Sequence, residues 1–286
     1  MEKPLQAFLN TINTIVIPEE GARVDGTVAE AVRVAFNPDA RIVESKEPLG
    51  SSAETLTIHV QGEGDFANPE GTETLDSWIA FGVSEQGAVL CASHPHLLYG
   101  LFCLVRDSWC GEGVEVFQRP RIQEPTFSRL IGFDGHYGFW RRFTEGYEPE
   151  SAMQEHARLG CRYVAVNSLP NPNAYEKGVN GEIYHRFYQY LPDIDQYVDT
   201  PLNRGIYPQE YLQANLNFLK EQSALAVKYG LTPGMQIANP RSAPEEFFEK
   251  YPYLRGPRID HTFRSYRPRY TMTLSHPLVR WHYATL

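Results

Sequence analysis

The residues of this chain whose types and spacing could do chemistry sit at the ends of short apolar runs. Arg129-Leu130-Ile131-Gly132-Phe133-Asp134 reads as a strand that delivers one carboxyl group to its C-terminal end, with His136 and Trp140 following in an aromatic stretch. Asn167 closes the run Arg162–Val166, and Asn239 closes Met235–Ala238, with Arg241 two residues beyond. A side-chain amide in that position can hydrogen-bond a ligand, and a guanidinium can grip an anion in a bidentate way. Asp134 is the one acid placed at a strand end, whereas splitting a glycosidic bond by acid–base chemistry usually takes two carboxylates facing each other. A binding role for Asp134, orienting Arg129 or a ligand hydroxyl, is therefore the expectation, and no catalytic residue is assigned. Plainer readings stand beside these: Arg129 as a core-edge cation paired with Asp134, His136, Tyr137 and Trp140 as packing, and Asn167 and Asn239 as turn residues.

Other chemistries find no footing. His94 and His96 flank Pro95, but no carboxylate or thiol stands at a matching ligand spacing, so no metal is expected. GxSxG is absent, and Cys161 lies between a helix-ending Gly160 and a strand, a packing position. With neither GxGxxG nor GxxxxGK[ST], no cofactor is implied. The four cysteines, Cys91, Cys103, Cys110 and Cys161, lack CxxC spacing and read as reduced thiols.

The elements that must position the candidates divide into two groups. The 286 residues carry a net charge of −9, 42% hydrophobic and 21% charged residues, the composition of a globular protein without the basic footprint of a nucleic-acid binder. No apolar run reaches the length of a membrane span, and Met1–Asn10 lacks the pattern of a signal peptide, so a cytoplasmic protein is expected if Met1 is the native start. Residues 1–124 hold 8 Lys+Arg against 19 Asp+Glu, and residues 125–286 hold 18 against 16. That shift, with the proline-flanked stretch Gln118–Pro125, places a domain boundary near Pro125. In the first part, strands are expected at Thr14–Ile17, Thr55–Val60, Ser77–Val83 and Ala88–Ala92, with helices at Val28–Phe36 and His96–Trp109, giving a small α+β domain. In the second part the order is strand Arg129–Phe133, helix Pro149–Leu159, strand Arg162–Val166, helix Pro208–Tyr229, strand Met235–Ala238. This alternation implies a parallel sheet or a (β/α) barrel, with chemistry at the strand C-terminal ends.

The segments after the second and third of these strands are long. Ser168–Tyr207 and Asn239–Ser275 each show no helical periodicity, where βα loops are usually roughly 2 to 6 residues. The first carries Tyr175, Tyr184, Tyr188, Tyr190, Tyr197 and Tyr207, and the second carries six arginines from Arg241 to Arg269. Rings that stack on pyranose faces and guanidinium forks suit a carbohydrate, an acidic one above all. The bland reading of most of these arginines is solvation, or salt bridges to Glu245, Glu246 and Glu249.

Two segments also resemble a known family. Asp76-Ser77-Trp78-Ile79-Ala80-Phe81-Gly82-Val83, then Gly87–Cys91, then His96-Leu97-Leu98-Tyr99-Gly100-Leu101-Phe102 is similar to the end of the small zincin-like domain that precedes the barrel in family 20 hexosaminidases and in alpha-glucuronidases. Arg129, four residues, Asp134 is similar to the first barrel strand of family 20, where the resemblance implies an Arg that reaches sugar hydroxyls. The second Arg of the family pattern is Tyr137 here, and the zinc motif HExxH is absent. From Arg129 only 158 residues remain, room for about three strand–helix units, while an eight-unit barrel needs about 250 residues. The run Ser275–Leu286 reads as a capped helix with Pro277 early in it.

The expectation is thus a small α+β domain followed by an incomplete (β/α)8 barrel: the N-terminal part of a glycoside hydrolase acting on an oligosaccharide, of an acidic or amino sugar, whose catalytic carboxylates lie outside these residues. The rival is a non-catalytic carbohydrate-binding or scaffold protein completed by self-association or by a partner chain. A lesser alternative makes Asp134 and His136 an acid–base pair in an unrelated α/β enzyme.

Overall fold

The computed structural model describes residues 4–19, 23–47, 52–63, 65–126, 130–132, 148–167, 175–177, 183–185, 194–235, 243–259 and 269–285. In chain order the elements are α1 (Leu5–Leu9), β1 (Thr14–Pro18), α2 (Arg23–Phe36), β2 (Arg41–Ser45), β3 (Thr55–Val60), β4 (Ile79–Ser84), β5 (Gly87–Ala92), α3 (Pro95–Leu104) and β6 (Arg121–Gln123). They continue with β7 (Leu130–Gly132), α4 (Pro149–Arg158), β8 (Cys161–Ala165), β9 (Tyr175–Lys177), β10 (Ile183–His185), α5 (Gln209–Lys228) and β11 (Thr232–Gly234). The last are α6 (Glu245–Lys250), β12 (Arg255–Ile259), β13 (Arg269–Met272) and α7 (Pro277–Thr285). Two compact units result, one holding the described residues up to Gly132 with Glu148–Val164 and Ala224–Pro233, the other those of Ala165–Ser223 and Gly234–Leu286.

The first unit is built on a six-stranded mixed sheet of order β2-β1-β3-β5-β4-β6. β1 pairs parallel with β2 and with β3, and β3 pairs parallel with β5, whereas β4 and β5 form an antiparallel hairpin through Glu85 and Gln86. The central strands are buried along nearly their whole length, as parallel strands covered on both faces must be. Val24, Val28, Val32, Leu97, Leu98 and Leu101, from α2 and α3, are all buried, and Trp78, Ala80 and Cys91 make a separate cluster with Leu75, Val89 and Ile122. Both edge strands of this sheet, like the short helix α1, escaped the sequence reading. Arg41–Ser45 forms strand β2, although no apolar run marks it, because its backbone pairs with the buried β1 at the sheet edge. Arg121–Gln123, read as linker, is strand β6 on the other edge, pairing with Ile79–Phe81. Prolines flank an edge strand without cost, since the missing N–H faces away from the ladder.

A second sheet of order β11-β8-β7 follows, in which β7 and β8 run parallel with Ile131 opposite Tyr163. The third strand falls at Thr232–Gly234 instead of Met235–Ala238; Met235 has left the sheet, and 236–238 lie outside the described residues. Leu231 and the strand start immediately after the helix-ending Gly230, which takes a left-handed φ of 74° and so turns the chain straight into β11.

The second unit packs Leu202, Ile206, Phe247, Phe248, Leu254, Met272 and Val279 into one core. The stretch Asn239–Ser275, expected to lack helical structure, contains α6, whose Phe247 and Phe248 are buried, and the antiparallel pair β12–β13. The run Glu245-Glu246-Phe247-Phe248-Glu249-Lys250 is too short to display a helical repeat, and tertiary burial of its two rings decides the conformation. α7 begins at Pro277 as expected.

Candidate functional site

Among the residues singled out by sequence, Arg129, Asp134, His136, Trp140, Asn239 and Arg241 lie outside the described residues. Asn167 is described. It sits two residues past β8, with 3% of its surface exposed, and its backbone carbonyl accepts a hydrogen bond from the Tyr197 hydroxyl at 3.2 Å. The neighbouring Val166 N–H donates to the Gly234 carbonyl at the end of β11, so the chain is tied on both sides as it leaves the strand.

What holds Tyr197 is a polar network in the second unit that no local signal in the sequence reveals. The tight turn Ile194–Gln196 leads into Tyr197, whose N–H donates to the Ile194 carbonyl at 2.9 Å. Asn203, fully buried, clamps that turn: its Nδ2 donates to the Asp195 carbonyl at 2.7 Å and to the Val198 carbonyl at 3.2 Å, while its Oδ1 accepts from the Thr200 N–H at 2.6 Å. From α5, the Asn215 amide donates to the Gln196 carbonyl at 2.7 Å, and Gln196 reaches the Tyr211 hydroxyl at 3.2 Å. His282 of α7 approaches from 82 residues beyond Thr200, with Nδ1 3.5 Å from the Thr200 hydroxyl and Nε2 3.9 Å from the Asp195 carboxylate. An aspartate beside a histidine has the composition of an acid–base pair. Both are sealed, however, with 1% and 0% of their surface exposed, and a general base must come within hydrogen-bond reach of its substrate. Their role is to lock the segment that carries Tyr197, and through it the main chain at Asn167.

Arg255, one of the arginines noted in sequence, is paired with Glu245 and lies over the rings of Phe248 and Tyr270, at 5.3 and 4.5 Å from their centroids. The bland reading holds for this residue. Tyr207 and Tyr211 stack at 5.8 Å between centroids, but both are buried and serve as packing.

The first unit holds a separate group of ionisable side chains. Asp25, in the first turn of α2, is 1% exposed, and its carboxyl is pushed up to about 9, first by burial and then by the adjacent Glu63 carboxyl. The helix N-terminus favours a carboxylate by only about 0.3–1 kcal/mol, so desolvation wins and Asp25 keeps its proton. His59, stacked on Phe66 at 5.3 Å, is lowered by burial. The Cys91 thiol is pushed up to about 12 by burial, as befits a packing cysteine. His94 Nδ1 lies 2.8 Å from the Ser93 hydroxyl, and among the described residues no group of three His, Cys, Asp or Glu side chains is arranged to hold a metal ion. No helix among them is long and apolar enough to cross a membrane.

No family model matches the chain, and comparison with curated proteins finds no match. Among solved structures the chain is similar to beta-N-acetylhexosaminidase from Bacteroides fragilis NCTC 9343, at 12% identity and a TM-score of 0.45, over 94% of this chain and 48% of that one. It is also similar to CpGH84D, at 12% identity and a TM-score of 0.37, over 77% of this chain and 33% of that one. The chain spans about half the length of the first and a third of the second.

Proposed function

We propose that this chain is the N-terminal portion of a carbohydrate-active enzyme: a small α+β domain, then the opening strands of a (β/α) barrel, with the catalytic carboxylates on later strands. The observation that carries the reading is the pairing of Ile131 with Tyr163 on adjacent parallel strands, the two side chains 68% and 37% exposed. Parallel sheets are covered on both faces, and in a closed barrel the inward side chains are packed in layers by those of the other strands. An apolar pair open to solvent on such a sheet fits a barrel whose remaining strands lie elsewhere. The resemblance of Asp76–Phe102 and of Arg129–Asp134 to hexosaminidase-type enzymes supports a glycoside as substrate. In this reading Arg129, Asp134, His136, Trp140, Asn167, Asn239 and Arg241 line the substrate face and none performs the bond cleavage.

The same open face also favours a second reading, a non-catalytic carbohydrate-binding protein in which another copy or a partner covers Ile131 and Tyr163. Intact mass and turnover of the protein as its native source makes it separate the two. A mass well above 32.6 kDa, with hydrolysis of an aryl N-acetylhexosaminide or glucuronide that the 286-residue chain does not catalyse, is expected. Turnover by the 286-residue chain alone would overturn the placement of the catalytic pair. A native product of 32.6 kDa without turnover would overturn the enzyme in favour of the second reading.

A further inference from the structure

The first unit contains a crevice of about 500 Å³ that the proposed substrate face does not use, lined by residues of α2, α3, α4 and the end of α5 and by Arg106, which follows α3. One wall is aliphatic, with Ala31 half-buried and Val34 67% exposed on the outer flank of α2. Tyr99 and Tyr229 also line it, both largely buried, and meet edge to face at 4.9 Å. Polar groups stand among these residues: Glu30 on α2, Arg106, Gln154 on α4, and Lys228 on α5.

Each charge at the crevice already has a fixed counter-charge. Glu30 is held in a two-point pair by Arg33, Arg106 by Asp107, and Lys228 by Glu150. Arg106 also lies 5.2 Å over the Phe102 ring, and Gln154 donates to the Tyr229 hydroxyl at 2.8 Å, which sets the orientation of both. The pairing decides the ligand class. A phosphate or other dianion would need cations not already neutralised, and here every one is. A purely apolar ligand would strip water from Glu30, Arg106, Gln154 and Lys228 and return no hydrogen bonds. A ring with an apolar face and a rim of hydroxyls meets both demands, since paired charges and amides retain donors and acceptors for hydroxyls while the aliphatic wall of Ala31 and Val34 covers the face.

We infer that this crevice of the small domain is a saccharide-binding subsite, separate from the strand-end face, formed by Ala31 and Val34 together with Tyr99, Arg106, Gln154 and Lys228. The choice of a sugar is in keeping with the carbohydrate reading above, but the site stands on its own geometry and is tested apart from it. Saturation-transfer NMR would be run on the whole chain with an N-acetylglucosamine trisaccharide, a xylotriose and a glucuronic-acid-containing disaccharide as probes. Ala31→Trp fills the crevice from the exposed flank of α2, and Gln154→Ala removes an amide from its wall.

The wild-type chain is expected to show transfer to at least one probe, with affinity falling at least tenfold in Ala31→Trp and several-fold in Gln154→Ala while the melting temperature of each variant stays within a few degrees. Unchanged binding in a folded Ala31→Trp chain would overturn the subsite and leave the strand-end reading intact, because the sugar would then sit elsewhere. Absence of transfer from all three probes to the wild-type chain would also overturn it, and the carbohydrate reading would still be judged by turnover of the native product. Should Ala31→Trp fail to fold, Val34→Arg, at a position already mostly exposed, supplies the same block with the same two outcomes.

Discussion

The carboxyl groups of Asp25 and Glu63 adjoin each other inside the first unit, joining the start of α2 to the turn after β3, and Asp25 is protonated at neutral pH because its pKa lies near 9. A buried carboxyl next to a second carboxyl ionises only at high cost, and the half-buried Glu63 side chain is committed to the Val60 N–H, which donates to its Oε2 at 2.8 Å.

This relationship has a definite sign. An unfolded Asp25 loses its proton near the ordinary aspartate value of 3.8, and the folded one keeps it to about 9, so between those values the folded state binds the extra proton. Stability therefore falls as pH rises through that window and levels off above it. Asp25→Asn removes the dependence. Thermal melts at pH 5 and pH 8.5 should show the variant gaining on the wild type at the higher pH; a constant difference between the two would mean that Asp25 ionises normally.

Asn203 is the clamp of the second unit. Replacing it with Ala leaves the Asp195 and Val198 carbonyls and the Thr200 N–H short of partners inside the protein, a loss of about 3 kcal/mol by the cost of unmade buried hydrogen bonds. Denaturant titration measures it. Tyr197→Phe, which removes one hydroxyl, should cost only about 1 kcal/mol, and an equal loss in the two variants would show that Asn203 does not organise the turn.

Gly230 and Gly205 both adopt left-handed backbone, with φ of 74° and 76°, yet their surroundings differ. A Cβ at 230 would stand 2.5 Å from the Pro95 carbonyl oxygen, whereas one at 205 meets nothing within 4 Å. Gly205→Ala should cost about 1 kcal/mol of backbone strain, and Gly230→Ala at least about 2 kcal/mol more, because backbone atoms at the start of α3 must move. Comparable melting temperatures for the two variants would contradict the close approach.

Ile131→Asp places a charge on the open face of the second sheet. Since Ile131 is 68% exposed, the melting temperature should change by no more than a few degrees, while binding of an anilinonaphthalene sulfonate dye and self-association on size-exclusion chromatography decline. A large loss of stability would show the face to be covered in solution.

Much of the architecture was legible because it rests on local patterns. The alternation of Thr55–Val60, the turn between β4 and β5, Pro95 and Pro277 at helix starts, and Gly160 and Gly230 at helix ends all act through neighbouring residues. β2 and β6 were not legible, since an edge strand with a polar sequence exists only because a buried neighbour offers it a ladder. α6 was missed for a related reason, as its six residues become a helix by packing Phe247 and Phe248 into a core contributed by distant segments. Of the candidate residues, Asn167 lies just past β8, where its place after an apolar run puts it, but the groups that hold it were not legible.

The sequence by itself determined the central strands of the first sheet, the long helices and the acidic character of the first 124 residues, because hydrophobic period, capping and charge are properties of short windows. Only the tertiary structure decided that Asp25 is protonated beside Glu63, that His282 closes on Asp195 and Thr200, and that Ile131 and Tyr163 lie side by side in the open. Burial, desolvation and strand register arise from contacts between residues far apart in the chain, and no local pattern encodes which of those contacts will form.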